Sequence, residues 1–118
     1  MADEAKDPSS KEIEVLFSTL LAECPELGEV VEQFVKSLPD RVTAMQDSIR
    51  EHSYDKLVQQ AHQLRGAGAS YGYADISKRA AEIEKAAHDG VIDVVTEKIA
   101  EVNDLIAKIR KGLEEETR

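Results

Sequence analysis

The chain has 118 residues, 33% of them charged, and a net charge of −9. That balance argues against a nucleic-acid partner, which wants basic patches, and the length provides for one domain with one modest core. There is no Trp, and only Phe17, Phe34, Tyr54, Tyr71 and Tyr73 are aromatic, so the core must be aliphatic. Hydrophobic residues make up 42%, which suits a soluble globular chain rather than a disordered one. The charge is uneven. Between residues 53 and 89, Asp55, Asp75, Glu82, Glu84 and Asp89 are balanced by Lys56, Arg65, Lys78, Arg79 and Lys85. The acidic excess therefore lies outside that segment. Cys24 is alone, so no intrachain disulfide or cysteine-based zinc site is expected. Residues 1–10 lack an apolar signal region, and no apolar run approaches the length of a membrane span. A reducing, cytoplasmic setting and no membrane association are expected.

Residues 1–8 read as a disordered tail. Ser9 with Glu12 fits a capping box. Ile13, Leu16, Phe17, Leu20 and Leu21 follow at helical spacing, predicting a first helix over about residues 10–23, stopped by Pro25. Leu27, Val31, Val35, Leu38, Val42, Met45 and Ile49 step by threes and fours through Pro39. An interior proline removes one backbone bond and usually kinks a helix. The stripe predicts one kinked helix, or two nearly collinear pieces, over about residues 26–51; a plain break at Pro39 is the alternative.

Ser53 suits the N-cap of the next helix. Its inward stripe is Leu57, Ala61, Leu64, Gly68 and Tyr71, and Gly72 ends it. Ile76, Ala80, Ile83 and Ala87 mark a helix over about residues 74–88, with Gly90 as its C-terminal cap. Val91, Val95, Ile99, Val102, Ile106, Ile109 and Leu113 mark a long last helix, with residues 114–118 as a frayed tail. No segment alternates as a strand would, and the connections are short. The expected fold is all-α: an antiparallel up-and-down four-helix bundle with an additional short N-terminal helix, spanning residues 9–113.

The stretch from His62 to Gly72 stands out. Gly66, Gly68 and Gly72 fall within seven residues of an otherwise helical pattern, and each interior glycine costs about 1 kcal/mol relative to alanine. Gly68 is on the inward stripe, where close helix–helix contact explains it. Gly66 is one turn from His62 on a stripe rotated toward solvent, with Gln59 and Ala69. Since Ala61 and Leu64 point inward, His62 lies outside the core, and Gly66 leaves room for another protein to reach it. Arg65, three residues on, can swing toward the imidazole. An imidazole is largely neutral at pH 7 and is a competent nucleophile; a guanidinium can hold anionic oxygens. Nucleophile, cation and open approach suggest transient phosphoryl transfer onto His62. His52 and His88, both near helix ends, read as structural or exposed, and neither is spaced to form a metal site with His62.

These residues resemble the histidine-containing phosphotransfer (HPt) domain of multistep two-component phosphorelays. The resemblance rests on His62-Gln63-Leu64-Arg65-Gly66, Gly72, Ile76 and Ile83-Glu84, with Phe34, Leu38-Pro39 and Tyr54…Leu57 upstream. It implies that His62 is the phosphoacceptor and that Gly66 keeps a docking face clear. It implies too that Arg65 stands for the family's lysine beside the phosphoryl group. Arg65 is a departure, since its planar fork binds oxygens differently from a compact ammonium. Ala67-Gly68 replaces a small, often serine-containing pair. Glu84 falls where some members carry a residue that orients the histidine; here it is given no more than a structural role.

The docking face is expected to hold Gln59, Gln63, Gly66 and Ala69, with Arg79 or Lys78 as a further base from the next helix. The expected partners are response-regulator receiver domains and/or a histidine kinase, met by a monomer. No cofactor, no metal and no ATP site are expected, because the chain has no Gly-rich phosphate loop or nucleotide-binding βα unit. Two other readings stay open. The chain could be the direct substrate of a histidine kinase, or a helical docking module without phosphate chemistry.

Overall fold

A computed structural model describes residues 17–116. Its elements are α1 (Thr19–Glu23), a 3-10 turn (Pro25–Leu27), α2 (Gly28–Arg50), α3 (Tyr54–Ser70), α4 (Ala74–His88) and α5 (Ile92–Glu116). α2 packs on α3 and α5, and α4 packs on α3 and α5. The four long helices thus close a ring about one core, the all-α bundle read from the sequence. Val31, Leu38, Met45, Leu57, Leu64, Ile76, Ile83, Val95, Val102 and Ile109 are wholly buried at its centre. Phe34 joins them and stacks on Tyr71 at 4.7 Å between ring centroids.

α2 runs unbroken through Pro39. The apolar stripe on both sides of the proline holds it in one helix at the cost of one backbone bond. The first helix differs from expectation. Phe17 and Ser18 are not helical, and Ser18 instead caps α1, its Oγ accepting from the Leu21 N–H at 3.0 Å. Phe17, read as part of a buried stripe, is half exposed. The Ser9–Glu12 capping box and the tail at 1–8 lie outside the described residues. At the other end α5 continues through Glu116, so residues 114–116 extend the helix rather than fray from it. Buried Leu113 anchors that last turn.

The three connections between the long helices, residues 51–53, 71–73 and 89–91, are built alike. In each the first residue closes the helix and the second has positive φ: 58° at His52, 86° at Gly72 and 77° at Gly90. The second and third residues donate back into the last turn. Gly72 N–H bonds Ala69 O and Tyr73 N–H bonds Gly68 O; Gly90 and Val91 do the same to Ala87 and Ala86; His52 and Ser53 to Ile49 and Ser48. This paired 5→2 and 6→1 pattern satisfies the orphan carbonyls of a helix end and reverses the chain within three residues. Consecutive helices are therefore antiparallel neighbours.

The 71–73 turn carries a second attachment. Ser18 Oγ donates to Tyr71 O at 2.7 Å, and Thr19 N–H donates to Gly72 O at 3.0 Å. A Cβ on Gly72 would lie 2.4 Å from Leu20 N and 2.6 Å from Ser18 Oγ. Gly72 is thus required twice, for its positive φ and for this approach.

Candidate functional site

His62 stands in mid-α3 between residues that fix its direction. Ala61 and Leu64 are buried, and a helix turns about 100° per residue, so the imidazole emerges outside the core. Its side chain is 60% exposed. One turn on, a Cβ at Gly66 would meet nothing within 4 Å. Gln59, Gln63 and Ala69 are exposed on the same helix. The predicted face around His62 is assembled on α3.

Gly68 behaves oppositely to Gly66. A Cβ there would come within 2.9 Å of both Ile76 Cγ2 and the Ser77 backbone N, so its absence lets α3 and α4 touch backbone to side chain. From that contact the two helices run side by side, antiparallel. At 1.5 Å per residue, His62 is about 9 Å from Gly68 along α3, and Glu84 about 11–12 Å from the matching point on α4. Side chains lean toward the N-terminus of their own helix. His62 therefore leans away from the turn and Glu84 leans back toward it, and the two meet.

They meet with His62 Nδ1 3.1 Å from Glu84 Oε2. A carboxylate only accepts, so Nδ1 carries the proton and donates it. Nε2, across the ring, keeps its lone pair and has no bonded partner among the described residues. The other oxygen, Glu84 Oε1, has Arg65 Nη1 at 3.1 Å. Arg65 Nη2 also lies 3.4 Å from His62 Nδ1, but with that nitrogen protonated it is a neighbour rather than a donor. Oε1 is closed to solvent and none of its neighbours aims an N–H at it within hydrogen-bond geometry. The Arg65 contact is thus an attraction between charges, not a directed bond. Glu84 is one-fifth exposed, Arg65 nearly half.

Glu84 therefore touches both His62 and Arg65, a placement the sequence reading did not give it. A signal was present: Ser77, Ala81 and Glu84 lie on one half-buried stripe of α4, where an acid among small residues needs a partner. Arg79 does not join the site. Its Nε is 2.8 Å from Glu101 Oε1 and its Nη1 is 3.4 Å from Glu82 Oε1, so acids on α4 and α5 draw it to the far side of α4. Lys78 is exposed on α4. Beside the site, Val58, Arg65, Ala81, Glu84, Lys85 and His88 line a shallow groove of about 250 Å³. Among the described residues no group of three or more His, Cys, Asp or Glu side chains could hold a metal ion, and no helix is long and apolar enough to cross a membrane.

Compared with known protein families, the chain matches the model described as "Hpt domain" over residues 29–112. No curated protein and no solved structure matches it.

Proposed function

The chain belongs to the Hpt domain family, phosphotransfer modules of two-component signalling that meet receiver domains and kinases, and on that premise we propose that His62 is its phosphoacceptor. In this reading the chain is a relay intermediate. It accepts the phosphoryl group from a receiver aspartate and passes it to another receiver. The observation that carries the reading is the contact of Nδ1 with Glu84 Oε2, while Nε2 has no bonded partner among the described residues. Glu84 holds one nitrogen, and the bare helix at Gly66 leaves the approach to the other open.

Nucleophilic attack then follows from this tautomer. The Nε2 lone pair forms the N–P bond as the P–O bond to the donor aspartate breaks, its electrons leaving on the carboxylate. Arg65 supplies positive charge beside the transferred group, and the return step runs the same path to a second carboxylate. Gln59, Gln63, Gly66 and Ala69 form the docking face, and the chain acts without an ATP site of its own.

The test mixes the protein with receiver domains charged by a small phosphodonor. Intact mass should show acid-labile, base-stable phosphate on the wild type and none on His62→Gln. Equal labelling of the variant would place the acceptor elsewhere. Label from ATP alone on the isolated chain would overturn the absence of kinase activity.

A further inference from the structure

We propose that the Arg65–Glu84 ion pair belongs to the resting state and is exchanged on phosphorylation, Arg65 passing to the phosphoryl group while Glu84 passes wholly to the imidazole. This rests on His62 being the phosphoacceptor. In the resting site the carboxylate of Glu84 serves two partners, with Oε2 on Nδ1 of the nucleophilic, neutral form of the ring and Oε1 on the guanidinium.

Transfer changes the charges. When Nε2 takes the phosphoryl group, the Nδ1 proton stays where Glu84 holds it, so the ring becomes an imidazolium bearing a dianionic group. Glu84 now has a cation already in contact through Oε2. Arg65, which touches the Nδ1 side of the ring, turns from a monoanion it shares to the dianion on Nε2. Re-pairing gives each charge an opposite partner, whereas a fixed Arg65–Glu84 pair would leave the dianion balanced only by the ring it is bonded to.

The geometry suits the exchange. No N–H is aimed at Oε1, so the contact given up is not a directed bond. The Arg65 side chain is 45% exposed and free to turn. The position next to it, Gly66, has no side chain to block the turn. Glu84, only 22% exposed and rooted on α4, is the fixed member.

The experiment uses the full chain charged directly with phosphoramidate, followed by the Arg65 guanidinium nitrogen–proton signal in NMR. In the resting state wild type and Glu84→Gln differ, since only the wild type has the ion pair. On charging, the wild-type signal moves and converges with that of charged Glu84→Gln. Separately, at equilibrium with a charged receiver, Arg65→Gln lowers the ratio of phosphorylated His62 to phosphorylated receiver about tenfold, the scale of a charge-assisted hydrogen bond. An Arg65 signal that keeps its resting position on charging, or a ratio unmoved by Arg65→Gln, overturns the exchange. Failure of every receiver to label His62, with phosphoramidate still doing so, sinks the relay reading and leaves the exchange decided by the NMR arm. Failure of phosphoramidate and receivers alike to label His62 sinks both.

Discussion

A methyl group added at Gly66 would meet no atom within 4 Å, so the fold does not require that glycine. Gly66→Ala should raise stability by up to about 1 kcal/mol, the helix-propensity difference, measured by denaturant unfolding. Gly66→Gln should leave the fold intact and slow phosphotransfer, and an unchanged rate would remove the open-approach argument. His52 is the reverse case, a residue with a Cβ at φ 58°, where the equivalent turns carry Gly72 and Gly90. Its Nδ1 lies 3.0 Å from the Tyr54 hydroxyl, a contact at an exposed site that offsets only part of the left-handed cost. His52→Gly should therefore stabilise by about 0.5–1 kcal/mol, seen as a higher unfolding midpoint. The placement of His62, Arg65 and Gly66 outside the core was legible because it follows from which way a helical residue points. For Glu84 only the need for a partner was legible; which partner it meets depends on how far along α4 it stands from the Gly68 contact.

The helices show the same division. The spans of α2 to α5 were readable because threes and fours of aliphatic residues admit one period, and glycines past the ends of α3 and α4 marked their stops. The start of α1 was not readable. Phe17 fits the helical spacing, but Ser18 leaves it to bond Tyr71 O, 53 residues away in sequence, and no local pattern encodes so distant a partner. Ser18→Ala removes both the α1 cap and this tie, leaving the Tyr71 carbonyl short of a donor. A loss of about 1–2 kcal/mol is expected in chemical unfolding. At the end of α4, the hydrogen bond from Lys85, then that from His88, holds the Asp89 carboxyl below its usual range. A lowered folded-state value means the interaction is present above the ordinary carboxylate range and is lost as pH falls through the lowered one. An NMR titration should show Lys85→Met moving the Asp89 midpoint upward.

At the scale of the molecule, the net charge of −9 surrounds a segment, residues 53–89, that carries none of the excess. Long-range repulsion toward an acidic receiver is screened by salt, with a Debye length of about 8 Å at physiological ionic strength. For such a receiver the second-order transfer rate should rise from low to physiological salt, as stopped-flow kinetics can show; a steep fall would mean that local attraction at the docking face governs encounter instead. The geometry of α3 and α4 also sets how any relative motion would be shared along them. The Gly68–Ile76 contact is a fulcrum, pinned from outside by Ser18 and Thr19 on the 71–73 turn. His62 and Glu84 sit on short arms, about 10 Å from it, whereas Tyr54 at the far end of α3 is about 21 Å away. Any scissoring of α3 against α4 therefore displaces the far end about twice as much as the imidazole and its carboxylate. Whatever motion the turns at 51–53 and 89–91 allow at that end, the nucleophile and its carboxylate move about half as far.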